Sequence, residues 1–183
     1  MTAIIEKDFN FHTAVHFNNT FYINLYEVTL TIEVDTDSTN EQNVAMDRAT
    51  YFLSEVLQDS ILISSTESEQ IAKYKAAGLR PCELPEEPYD QIVAMAILCK
   101  INAIMEEKLR VNTIRLSSTL GDSVKFTVSS ETADHVLPGN YWWNKPSICL
   151  SKCDNHVDGD ENVVKLFDDT TWAELGLSWK NTN

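Results

Sequence analysis

Phe21-Tyr22-Ile23-Asn24-Leu25-Tyr26-Glu27-Val28-Thr29-Leu30-Thr31-Ile32-Glu33-Val34 decides the fold. The run is rich in β-branched and aromatic residues, which suit a pleated, half-buried surface. Tyr26, Val28, Leu30, Ile32 and Val34 point one way; Glu27, Thr29, Thr31 and Glu33 point the other. Strand side chains alternate with a period of two, so this strand buries one face and leaves the other wet.

Working outward, residues from Ile4 to Val15 read as a preceding strand, separated by a polar break at Asn18-Asn19-Thr20. After a loop at 35–42 the period changes. Between Asn43 and Gln58, Ala45, Ala49, Phe52, Leu53, Val56 and Leu57 form one helical stripe. A second, weaker helix is predicted over Ser68–Ala77, stopped by Gly78. Pro81–Pro88 reads as a loop. Tyr89–Leu109 carries the strongest helical pattern, with Lys108 and Arg110 placed to meet the negative end of its dipole.

Two more strands follow, Val111–Ser118 and Ser123–Ser130, around Thr119-Leu120-Gly121-Asp122. Ile114 and Leu116 oppose Thr113, Arg115 and Ser117 on the first. Val124, Phe126 and Val128 oppose Ser123, Lys125 and Thr127 on the second. The expected class is α+β in the order ββααββ, an antiparallel sheet with helices on one face. Residues 1–133 form this unit. Residues 134–183, turn-rich and holding Trp142, Trp143, Trp172 and Trp179, read as an irregular extension packed on the core or at a subunit interface.

The chain has 183 residues, 43% of them hydrophobic, and a net charge of −14. That charge argues against general binding to nucleic acid or anionic lipid, since both need a positive field. No apolar run approaches the roughly 20 residues of a membrane helix. Met1–Asp8 lacks a basic stretch leading into an apolar one. Cys82, Cys99, Cys149 and Cys153 are scattered, so a cytoplasmic chain with reduced thiols is expected.

Lys7-Asp8-Phe9-Asn10-Phe11-His12-Thr13-Ala14-Val15-His16-Phe17 resembles the opening strand of the 6-pyruvoyl-tetrahydropterin and 6-carboxy-tetrahydropterin synthases, where a Phe-x-Phe run leads into Ala-Ala-His. Asn43-Val44-Ala45-Met46-Asp47 resembles their entry to the first helix, and Glu83-Leu84-Pro85-Glu86-Glu87 their entry to the second. The element order agrees from about Ile4 to Ser130. The resemblance implies a tunnelling fold, in which subunit sheets assemble into a barrel and ligands bind at subunit junctions.

The same resemblance shows departures. The family holds zinc with one histidine ending the first strand and a His-x-His pair opening the second, leaving a fourth position open as catalytic zinc requires. Here Phe17, Asn18 and Asn19 stand at the pair, and His16 or Val15 at the first position. His12 and His16 share a strand face but lie about 13 Å apart, too far to chelate one ion. Asp59-Ser60 stands where the family has a catalytic Asp-His, and no cysteine lies between the first two strands. Leu116-Ser117-Ser118-Thr119 replaces the stretch with the pterin-anchoring glutamate, and serine is no charged bidentate acceptor.

The remaining chemistry points to the wet face of the second hairpin. Arg115 and Lys125 share it with Thr113, Ser117 and Thr127, and Ser118 adjoins. This basic strip would receive phosphate oxygens. The alternative is cross-strand pairing of Arg115 and Lys125 with Glu27 or Glu33. Cys149, Cys153 and His156 form a weak metal candidate whose spacing fits no common zinc site. No cofactor motif is present. The expected function is a non-catalytic, homo-oligomeric protein that binds or sequesters a purine nucleotide or pterin at subunit junctions. A pterin- or deazapurine-metabolism enzyme with rebuilt chemistry, and an acidic protein that blocks a macromolecular partner, are the alternatives.

Overall fold

The computed structural model describes residues 2–35, 39–137, 139–151 and 170–179. β1 (Thr2–Phe17) and β2 (Thr20–Asp35) are 16 residues each and pair antiparallel along their whole length, from Thr2↔Asp35 to Phe17↔Thr20. The two-residue loop between them, Asn18-Asn19, has φ of 49° and 57°. Positive φ at both positions matches the twist of the flanking strands, and asparagine tolerates it better than most residues.

Next come α1 (Thr39–Tyr51), continued by a wider π turn over Phe52–Leu57, then β3 (Ser60–Ser64), α2 (Ser68–Ala76) and β4 (Arg80–Leu84). α3 (Asp90–Met105), β5 (Arg110–Ser118), β6 (Phe126–Ser129) and α4 (Ser130–Val136) follow, with a short 3-10 turn at Trp142–Asn144. The sheet order is β4-β3-β1-β2-β5-β6. The expected ββααββ core is present: hairpins β1–β2 and β5–β6 join through the antiparallel β2–β5 pair, with long helices α1 and α3 between them in sequence.

The β3-α2-β4 unit corrects the sequence reading, which had no strand at 60–64 and a loop at 81–88. β3 pairs parallel with β1, and β4 parallel with β3. All five residues of β3 are buried, so it shows no alternation to read. Pro81 lies in β4, at the sheet's edge, where a missing N–H need not break a ladder bond.

Two boundaries also shift. α3 stops at Met105 because Glu106 and Glu107 turn left-handed, with φ of 47° and 64°. Lys108 therefore leaves the helix and pairs with Glu41 at 3.0 Å, while Arg110 opens β5. β6 begins only at Phe126, since Asp122 and Ser123 reverse the chain with φ of 52° and 59°. Val124, expected on the apolar face, is exposed.

The core includes Phe11, Val15, Tyr26, Val28, Leu30 and Ile32 from the first hairpin and Ile114 and Leu116 from β5, with the stripe predicted for α1. Full burial of a leucine or isoleucine contributes about 1.5–3 kcal/mol relative to exposure. α3 is buried almost all round. α4 and the Trp142–Asn144 turn both pack on it, and Trp142 and Trp143 belong to the same core.

Two buried cations tie the C-terminal residues to that core. The fully buried Lys100 ammonium donates to the carbonyls of Trp142 and Lys145, both at 2.9 Å, and of Ser147. Arg48 donates to the carbonyls of Ile104 (3.0 Å) and Leu177 (2.8 Å) and to the Glu106 carboxylate (2.7 Å). Its guanidinium lies 3.8 Å from the Trp179 ring centre and 5.0 Å from that of Trp172.

Candidate functional site

α3 begins at Asp90, after Pro88 and an extended Tyr89. A carboxylate in the first turn suits the positive end of the helix dipole. Asp90 is nonetheless buried, and Ser118 Oγ donates to it with both carboxylate oxygens at 2.9 Å. The Gly121 N–H donates in turn to Ser118 Oγ at 3.0 Å. A Cβ at position 121 would collide with the Asp90 carboxylate, so the turn after β5 needs glycine for this close approach. Burial raises the Asp90 pKa above the usual carboxylate value, and the Ser118 hydrogen bond offsets this only in part.

Asn24, on β2, is 1% exposed. Its Oδ1 accepts from Thr119 Oγ1 (2.7 Å) and the Leu120 N–H (3.0 Å), while its Nδ2 has no hydrogen-bond partner. The hydroxyl of Tyr26, two residues along the same strand face, is also buried without one. Burial pushes the Tyr26 pKa well up, with the nearby Asn24 amide pulling the other way.

Asn24 and Asp90 line a cavity of about 450 Å³ with mainly apolar walls, among them Val15, Phe17, Tyr22, Tyr89 and Phe126. Phe17 and Tyr89 meet edge to face, with centroids 5.3 Å apart. Sequence reading missed this site. It placed the helix boundary at Tyr89 but had no means of seeing that Asp90 and Asn24 converge on the turn after Ser118. The Pro88-Tyr89-Asp90 helix entry was the available signal.

The opposite sheet face holds a second cavity, of about 360 Å³. Two cross-strand rows build it. Asp8, Thr29, Arg115 and Thr127 are successive partners from β1 to β6. Asn10, Glu27 and Ser117 form the adjacent row, extended by Lys125 just ahead of β6. Of the residues predicted to bind ligand, Arg115, Lys125 and Ser117 line this cavity. Thr127 is the cross-strand partner of Arg115, and Thr113 pairs with Thr31 one row further on. Ser118 is separated from this set and serves the Asp90 cavity instead.

The considered pairing of Arg115 and Lys125 with Glu27 or Glu33 does not form: neither cation makes an ion pair among the described residues. Glu33 accepts from Asn112 (3.2 Å), and Asp8 from the Thr29 hydroxyl (2.6 Å).

The residues do not fit the zinc that the resemblance implies. Asn18 and Asn19 form the hairpin turn, and His16 is buried with its ring against Tyr74 of α2, at 5.9 Å between centroids. Among the described residues, no group of three or more His, Cys, Asp and Glu is placed to hold a metal ion. Of the weak metal candidates, Cys149 is disulfide-bonded and brings no thiolate, which also corrects the expectation of reduced thiols throughout. Cys153 and His156 lie outside the described residues. Cys82 and Cys99 are buried. Burial, with Asp134 beside it, pushes the Cys99 pKa up to about 12, so its thiol stays protonated. The Ser60 hydroxyl donates to the Leu57 carbonyl at 2.8 Å and is buried.

No protein-family model matches the chain, and no curated protein matches it. Among solved structures it is similar to a catalytic-residue variant of 6-pyruvoyltetrahydropterin synthase from Plasmodium vivax. That match has 12% identity and a TM-score of 0.45, and covers 70% of this chain and 97% of that one. It is also similar to the P. vivax enzyme at 2.2 Å resolution, at 11% identity and a TM-score of 0.42 over 70% and 97% of the two chains. The Plasmodium falciparum enzyme gives 11% identity and a TM-score of 0.40 over 69% and 96%. Among the described residues, no helix is long and apolar enough to cross a membrane.

Proposed function

We propose that this chain binds a small planar nitrogen heterocycle, of the purine-nucleotide or pterin type, in the cavity at the start of α3. The observation that carries this reading is the convergence of Asp90, a buried carboxylate, and Asn24 on one apolar-walled cavity. Ligand sites set a few polar groups within mainly apolar walls, and this cavity does so. Asp90 offers the matching acceptor for ring N–H groups. The aromatic walls suit flat faces. A carboxylate reaching in from α3 thus stands near Ser117 and Ser118, where the resemblance implies a lost glutamate.

Tyr89, Leu120 and Val124 at this cavity are 51%, 47% and 53% exposed. Large apolar side chains grouped in this way favour cover by a second copy, which supports a homo-oligomer with its ligand at the junction. We read the activity as binding without turnover, since the Ser118 hydroxyl is committed to Asp90. The raised Asp90 pKa favours one other reading, proton transfer to a pterin or deazapurine in the same cavity.

A thermal-shift screen of purine nucleotides, cyclic nucleotides and pterins tests the proposal. A hit should be lost in Asp90→Ala, and mass spectrometry of the recovered hit should show it unchanged. Silence across the whole screen would sink the binding reading, and a changed mass would replace it with the enzymatic one.

A further inference from the structure

We propose that the opposite face of the sheet carries a separate site for a small zwitterion of the α-amino-acid class. The cavity there is lined by Arg115 and Lys125, by Asp8 and Glu27, and by the neutral Asn10 and Ser117. Two cations face two carboxylates, so the lining is formally neutral within a chain of net charge −14.

The unlike charges share this space without meeting. Glu27 sits directly opposite Ser117, which places Arg115 on the diagonal. Diagonal neighbours in an antiparallel pair have Cβ atoms about 7–8 Å apart. Asp8 is two strands from Arg115, and its carboxylate is held by Thr29. Neither Arg115 nor Lys125 makes an ion pair among the described residues, and Glu27 makes none either.

A ligand with an ammonium and a carboxylate on one carbon satisfies the two halves together. Its carboxylate meets the Arg115 fork and Lys125, and its ammonium meets Glu27 and Asp8. A bare phosphate gains the two cations but is repelled by the two carboxylates, and a bare amine suffers the converse. This site uses none of the residues of the Asp90 cavity, so it stands or falls independently of the function proposed above.

The test is calorimetric titration of the intact chain with each common L-amino acid, with the methyl ester and N-acetyl derivative of any that binds, and with inorganic phosphate. At least one amino acid should bind, and both derivatives should bind at least about tenfold more weakly, the value of one charge-assisted contact. Arg115→Gln and Glu27→Gln, both exposed changes, should each weaken binding by a similar factor. Asp90→Asn should leave it unchanged. Binding of no amino acid overturns the proposal. So does phosphate binding as tightly as the best amino acid, or unchanged affinity in both exposed variants.

Discussion

The Ser118 hydroxyl lies 2.9 Å from each carboxylate oxygen of Asp90, and it accepts from the Gly121 N–H at 3.0 Å. One hydroxyl therefore joins the start of α3 to the turn after β5. It uses its proton on a carboxylate that burial disfavours as an anion, and a lone pair on the backbone of the turn.

This gives a stability profile with a definite sign. The Asp90 pKa is raised from 3.8 in the folded chain, so between 3.8 and the folded value the native state binds more protons than the unfolded state. The Asp90 contribution to stability falls as pH rises through that window. Asp90→Asn, which keeps an acceptor for Ser118, should remove this part of the slope and leave the neutral-pH chain at least as stable as the parent. Urea denaturation at a series of pH values measures it; an unchanged slope refutes the assignment.

Gly121→Ala places a methyl group against the Asp90 carboxylate. Overpacking of this kind costs about 1–3 kcal/mol. The variant should lose heterocycle binding while amino-acid binding on the other face persists. Chemical denaturation and the two titrations together read the result, and a neutral substitution would contradict the close approach.

Lys100→Met removes a fully buried ammonium and orphans three carbonyl contacts, those of Trp142, Lys145 and Ser147. A buried unsatisfied acceptor costs about 1–3 kcal/mol, and the Trp142 contact is the fully buried one, so a loss of about 1–3 kcal/mol is expected by urea denaturation. A loss under about 1 kcal/mol would mean that water replaces the ammonium freely.

Glu107→Gly should act in the opposite direction. Glu107 is exposed and left-handed, with φ of 64°. Relief of that conformation exceeds the extra chain entropy glycine brings, giving a gain of about 0.5–1 kcal/mol. Glu106, equally left-handed, is a poorer choice because it pairs with Arg48. A rise in the thermal midpoint for the Glu107 variant checks the geometry.

Long periodic segments were legible from sequence because one face of each is wet. The alternation from Tyr26 to Val34 and the stripe from Ala45 to Leu57 both survive in the structure as buried faces or partly buried edges. β3 was not legible, because a strand of five buried residues carries no contrast. α4 was hidden by its length of seven residues and polar sequence. On the candidate sites, strand parity put Arg115, Ser117 and Lys125 on one face, and all three line one cavity, since pairing register carries side-chain direction with it. Asp90, Asn24 and Gly121 are far apart in sequence, and only tertiary packing brings them together.

The tryptophan placement has a spectroscopic consequence. Trp142 packs beside Lys100, and Trp172 and Trp179 flank Arg48, whereas no tryptophan lines either candidate cavity. Intrinsic indole emission should therefore follow the docking of residues 139–151 and 170–179 rather than occupancy of either cavity. Tyr22 and Tyr89 are the native fluorophores at the heterocycle cavity, and the zwitterion cavity has none. A titration followed only by tryptophan emission would therefore be silent at both cavities while remaining sensitive to release of the C-terminal clamp.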